Sequence, residues 1–502
     1  MRRRTERPTT GRQSVCASAA ETPVVDVDVV VVGGGPAGSV ASGFLARSGL
    51  RVLVLERERF PRYHIGESLL SATLPILEAL GVMPAIERAG FVRKPGGTFL
   101  WGRYPEPWSF FFREDPGGRP HAYHVLRSEF DHLLLRHAAS LGAEVCEAHR
   151  VEDVVRDAAG SRVVARDESG RRVTVAARYV VDASGQHALL GRRHELREFN
   201  PFFKNLAVFG YFVGAQPLSG PEAGNILSAA FADGWLWFIP LHDGTTSVGA
   251  VVDAQRFAGA AARAPAELYR RLVRACAPVA QRLRHAELVS ATRIVRDYSY
   301  CSRRFYGPGF LLAGDAACFI DPVFSTGVHL ACLSGYLAAQ TVSAVLAGAS
   351  ESEQQERYDR TYRAAFERYL HFLYFFYDHH SDPESYFWTA RKILGTETPL
   401  EARTAFVRLM SGGGDLPPDA AGLQRALDAR HSQLAAATQR GRFAAAPSAA
   451  LFRVRHTVQT MDERPAATQR RASVPTAEAA WPASRPSPAP SPSAPRPRKP
   501  PR

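Results

Sequence analysis

Lysine is nearly absent from this sequence. Of 62 lysines and arginines in 502 residues, only Lys94, Lys204, Lys392 and Lys499 are lysine. Arginine stays charged and is a poor nucleophile, whereas a buried lysine can lose its proton. If Lys94, in the stretch FVRKPGGTFLWG, has a role, that role calls for an amine rather than for charge alone; the alternative is a surface lysine before a Gly-rich turn. Cysteine is sparse too. The six, at 16, 146, 276, 301, 318 and 332, show no C-x-x-C spacing. This argues against a zinc site or a disulfide scaffold, and for a reducing, cytoplasmic setting. No Asp/Glu/His cluster has metal-ligand spacing, so no metal is expected. No segment has the length and polarity of a membrane span. The arginines at the N-terminus precede no apolar h-region, which excludes a secretory signal. Their Arg/Ser/Thr-rich setting weakly resembles a transit peptide, and a disordered extension is the reading preferred. Part of the net charge of +13 sits at the ends, in MRRRTERPTTGR and APRPRKPPR. Neither has aromatic interleaving, so nucleic acid is not an expected partner. A basic surface still attracts an acidic one.

What remains is an ordinary globular composition, 45% hydrophobic and 22% charged, in a chain long enough for more than one folding unit. Residues 1–24 read as a disordered extension, and the Pro/Ala/Ser/Arg-rich residues 445–502 as a disordered tail. Residues 25–348 read as a core. Its nucleotide-binding part is discontinuous, about 25–200 and 290–348, around a β-rich substrate part of about 200–290. Residues 349–444 read as a helical C-terminal region.

VVDVDVVVVGGGPAGSVASGFLARSGLRVLVLERE reads as strand, turn, helix and strand. Gly33, Gly35 and Gly38 form G-x-G-x-x-G at the turn, with Ala37 beside the last glycine. Such glycines allow a tight turn and close backbone approach, and the helix start offers unpaired N–H groups to a pyrophosphate. Glu56 ends the second strand, where a carboxylate accepts ribose hydroxyls. The alternative is a Gly-rich turn in another α/β protein. DASG at 182–185 and GDAACFIDP at 314–322 each end a strand as if returning to the nucleotide fold.

That layout resembles the two-domain flavoprotein monooxygenases, an α/β, Rossmann-like FAD fold with a β-sheet substrate domain and, here, a helical C-terminal extension. The resemblance implies FAD, with Asp315 and Arg127 (in VLRSEFD) at the cofactor; Arg127 otherwise reads as a surface helix residue. GWLWFIPL supplies Trp235 and Trp237, two apart on a strand and so on one face. By themselves they read as core tryptophans. With FPRYHIGESLL, FVRKPGGTFLWG, GDAACFIDPVFSTGVHLA and SYFWTARKI, the chain over roughly residues 26–412 resembles the flavin-dependent halogenases, in the branch that acts on phenols or pyrroles, often tethered to a carrier protein. The resemblance implies that Trp235 and Trp237 separate flavin from substrate. It implies that chloride or bromide sits against the N–H groups of Thr326 and Gly327, and that Lys94 receives hypohalous acid through an internal passage. The helix that STG opens suits an anion, and an ordinary Ser/Thr N-cap is compatible with this. Phe324 stands where the free-tryptophan branch has a glutamate, which argues against that substrate. His64, His124 and His329 are further acid–base candidates. With one dinucleotide motif, reducing equivalents are expected from a separate flavin reductase. The alternatives are an aromatic hydroxylase or reductase of the same fold, and a non-catalytic flavin-binding protein.

Overall fold

VDVDVVVV forms the first strand, Val25–Val32. Its unbroken valines at the C-terminal end suit a strand covered on both faces. It runs parallel to Val52–Leu55 on one side and to Arg172–Asp182 on the other. Glu144–Cys146 and Phe310–Leu312 extend the sheet outward, also parallel. A strand from beyond residue 300 thus returns beside the first ones, as the GDAACFIDP motif suggested. The computed structural model describes residues 25–102, 106–158, 160–296, 299–377 and 402–412. The expectations for residues 1–24, for Ser385–Ile393 and for the tail at 445–502 lie outside them.

Between the first two strands lies the helix Pro36–Arg47. The long helix Thr326–Leu346 crosses it closely: a Cβ on Gly335 would stand 2.4 Å from the Ala37 carbonyl oxygen. By length and composition this helix could span a bilayer, but 83% of its most apolar stretch is buried in the protein, as for a core helix. Glu351–Phe376 follows, burying Tyr358, Tyr362, Tyr369 and Phe372, and Ala402–Ser411 packs beyond it.

A second sheet carries Asn205–Val213, Thr245–Asp253, Gly234–Pro240 and Ile226–Phe231 in antiparallel order. Gly96–Leu100 then joins parallel to Ile226–Phe231. The two faces bury different cores. Leu236 and Phe238 belong with Val248, Phe257, Leu268 and Leu272, while Trp235, Trp237 and Ile239 join the main core. Within the stretch of about 200–290, Ala254–Arg263, Pro265–Ala275 and Ala277–Arg282 are helices that cover the far face of this sheet. Among the described residues, Cys276, Cys301, Cys318 and Cys332 are free thiols.

Candidate functional site

One cleft opens at the C-terminal ends of the parallel strands, where ligands of open α/β sheets bind. Gly33, Gly35, Ala37, Glu56, Arg127, Asp315 and Gly327 all border it. The glycines differ in purpose. A Cβ on Gly38 would stand 1.9 Å from the Gly33 carbonyl oxygen, so Gly38 lets the helix seat against the turn. A Cβ on Gly35 would meet only the tip of Arg62, at 3.4 Å. Its bare side is cleft, and the helix it begins has neither a side-chain cap nor an acidic first turn. Unpaired N–H groups facing an open cradle suit a pyrophosphate.

Glu56 is clamped at the cleft edge. Its Oε2 accepts from the Gly34 N–H at 2.6 Å and its Oε1 from the Glu58 N–H at 2.8 Å. Arg127 is buried, not a surface residue. It makes a two-pronged contact with Asp131, at 2.8 and 2.9 Å, and donates to the carbonyls of Ile65 and Gly66. Burial pushes the Asp315 carboxyl up to about 6, against the pull of Arg127 and Arg197. Thr326 begins its helix after Ser325, which is left-handed at φ +60° and makes no side-chain cap. The Ser/Thr cap compatible with the sequence is therefore not formed, and the first-turn N–H groups beside the cleft lack it.

Lys94 lies outside this cleft. Residues 92–94 pair with 122–124, and Lys94 is 2% exposed. It donates to the Leu69 carbonyl at 2.9 Å and sits 5.5 Å from the Phe112 ring centroid. Burial alone lowers it to about 7. The reading of a surface lysine is excluded. Ile65 borders the cleft and Leu69 holds the amine. Three residues lie between them, so four Cα-to-Cα steps span at most about 14 Å when fully extended. The segment IGESL thus joins the cleft to Lys94.

Trp235 and Trp237 face the main core together, their ring centroids 6.2 Å apart. Trp235 donates to the Tyr377 hydroxyl and Trp237 to Ser247. Gly249, opposite Trp237, makes room for the indole: a Cβ there would lie 2.2 Å from it. Phe324 packs on Phe372 and Phe376, so the position is apolar.

His124 and His329 are buried, His64 is half-buried on the cleft wall, and all three are weakly basic. Burial first, then neighbouring charge, holds His64 near 3 and His329 near 4, with His124 well below its usual value. None carries a proton to give near neutral pH. Glu67 is a buried acid that the sequence did not single out. Tyr211 donates to its Oε1 at 2.5 Å, and Tyr211 in turn meets the exposed Tyr63 at 2.9 Å. Burial raises Glu67 to about 7, outweighing Tyr211, Ser247 and Arg127. Asp131 and Ser334, which accepts from the Gly314 N–H at 2.8 Å and donates to the Ala331 carbonyl at 2.9 Å, also went unread. Their only signal was i,i+4 spacing for Arg127 and Asp131. Among the described residues, no His/Cys/Asp/Glu group could hold a metal.

The sequence profile described as tryptophan halogenase matches residues 28–117 and 117–423. A tryptophan 2-halogenase of Chondromyces crocatus is 37% identical over 423 residues, 81% of this chain and 80% of its own. A 1H-pyrrole-2-carbonyl-[peptidyl-carrier protein] chlorinase of Pseudomonas fluorescens is 36% identical over 337 residues, 62% of this chain and 75% of its own. The solved structure of the myxobacterial chondrochloren halogenase, described as a variant of the FAD-dependent halogenases, superposes with a TM-score of 0.68 at 41% identity, covering 82% of this chain and 97% of that one. The chain belongs to the tryptophan halogenase family of FAD-dependent halogenating enzymes.

Proposed function

We propose that the enzyme chlorinates or brominates a phenolic or pyrrole ring carried on a carrier protein, with FAD reduced by a separate flavin reductase. The observation that carries this reading is Lys94: a buried amine, lowered to about 7, within a short reach of the cofactor cleft but not in it. Reduced FAD, when bound, supplies hypohalous acid from dioxygen and halide.

The chain's own residues do the rest. Gly33, Gly35, Ala37 and Gly38 would cradle the pyrophosphate, Glu56 would take the ribose, and Asp315 would hold the ribityl region. Arg127, tied to Asp131, holds Ile65 and Gly66 in place at the cofactor. The first-turn N–H groups of Thr326 and Gly327 hold the halide, aided by a helix N-terminus worth roughly +0.5 charge. Trp235 and Trp237 keep the aromatic substrate away from the flavin. Lys94 holds the oxidant by hydrogen bond, or as a haloamine, and presents halogen to the ring. A neutral amine does either; a guanidinium does neither well.

Phe324, apolar where a glutamate marks free-tryptophan enzymes, supports a phenol or pyrrole. The pyrrole-carrier chlorinase among the relatives supports the tethered form. The tryptophan 2-halogenase favours a second reading, an indole acceptor. Purified enzyme with reductase, FAD and halide is incubated with tyrosyl- and pyrrolyl-carrier proteins and with free tryptophan. Mass spectrometry should find halogen replacing hydrogen on a carrier-bound ring. Halogenation of tryptophan alone would select the indole reading. A hydroxylated product independent of halide would make the chain a hydroxylase.

A further inference from the structure

Two free cysteines face each other outside the site just described. Cys301, on Tyr300–Ser302, is the direct antiparallel partner of Cys318, on Cys318–Phe319. The Ser302 N–H donates to the Ala317 carbonyl at 2.9 Å. This bond lies outside the Cys301–Cys318 pair, which makes the pair a non-hydrogen-bonded one, the kind whose Cα atoms approach to about 4.5 Å. A disulfide spans Cα separations of roughly 4.4–6.8 Å, so the backbone already permits the bond. The two thiols are unequal. Cys301 is partly exposed and Cys318 is buried. The Arg363 guanidinium donates to the Cys301 sulfur at 3.3 Å. Asp359, gripped from two sides at 3.0 Å, fixes that guanidinium in place. Contact with Cys318, then Arg363, favours the Cys301 thiolate, while burial keeps Cys318 a thiol.

We propose that Cys301 and Cys318 form a peroxide-reactive thiol pair that closes to a reversible disulfide beside the cofactor loop. The oxidant is hydrogen peroxide, which reduced flavin releases whenever its reaction with dioxygen goes unused. The Cys301 thiolate attacks one peroxide oxygen. The O–O bond breaks, sulfenic acid forms, and the departing hydroxide takes a proton to become water. Cys318 then attacks the Cys301 sulfur. The S–S bond forms, the S–O bond breaks, and the Cys318 proton leaves with the hydroxide as a second water. Two thiols are oxidised and one peroxide becomes two waters. Cys318 lies three residues after Asp315, so the bond forms in the segment that leads from the cleft to the halide turn. Thiolate character and access set which cysteine reacts first, and both select Cys301.

The test uses the full chain, reduced and FAD-loaded, treated with a small excess of hydrogen peroxide and then alkylated. Mass spectrometry should find a peptide linking Cys301 to Cys318, two hydrogens lighter than its parts and split by dithiothreitol. Cys318→Ala removes the resolving thiol, so a sulfenic-acid probe should label Cys301 in that variant. Cys301→Ser should leave Cys318 reduced. Arg363→Lys keeps a charge but loses the fork, and should link more slowly. If both cysteines stay alkylated while Cys276, Cys332 or the methionines oxidise, the proposal is wrong. It is equally wrong if Cys301 is not labelled in the Cys318→Ala variant.

Discussion

Burial lowers the basicity of Lys94 at the expense of the fold. Its ordinary value is 10.5, and in the folded chain it falls to about 7. Below about pH 7 both the folded and unfolded chains carry the charge, and the fold bears the full penalty of burying it. Between 7 and 10.5 the unfolded chain binds more protons, so stability rises with pH; above 10.5 the penalty is gone. Lys94→Met keeps the length without the charge. It should unfold at a higher temperature than wild type near pH 7, with the gap narrowing as pH rises toward 10. A constant gap across that range would remove Lys94 as its source. Glu67 has the opposite sign. Its carboxyl is raised to about 7 from 4.5, so its penalty grows as pH rises through that window, and Glu67→Gln should add stability at pH 8 and not at pH 4. Melting curves at the two pH values decide it. Lys94 was legible as a candidate, because lysine is so rare here and because FVRKPGGTFLWG resembles the halogenases. Glu67 was not, although it lies in a quoted stretch. Its burial depends on Tyr211, 144 residues away, and no local spacing records that.

At the scale of elements, the strand–turn–helix unit was readable because its signals are local: a run of valines, three glycines, an alanine-rich helix. The same unit gives a sharp test. Even Gly38→Ala puts a methyl 1.9 Å from the Gly33 carbonyl oxygen, both atoms being held by backbone. The helix must retreat from the turn, and the variant should lose FAD on gel filtration while keeping its far-ultraviolet circular dichroism. Retained FAD would mean that the turn is not the cradle. The helices between 254 and 282 carry a local signal as well, the helical period of Phe257, Ala261, Leu268 and Leu272. What no local pattern could supply is the crossing of Thr326–Leu346 over Pro36–Arg47, where Gly335 meets Ala37 across 298 positions of sequence.

At the scale of the whole molecule, the account separates making the oxidant from using it. The sequence holds one G-x-G-x-x-G motif, so NADH should not reduce the enzyme by itself. Purified chain with NADH, FAD, dioxygen and halide should stay inactive until a flavin reductase is added; turnover without one would place a nicotinamide site in this chain. The central claim is that halogen travels from the cleft to Lys94 before it meets the ring. General acid–base assistance alone is typically worth about 10²–10⁴-fold, and a loss at least that large is expected without the amine. The direct measurement is halogenated product and FAD oxidation side by side in Lys94→Arg. This variant should bind FAD, oxidise it with dioxygen as wild type does, and halogenate nothing appreciable. Halogenation near the wild-type rate, from a side chain that keeps the charge and lacks the amine, would contradict the claim.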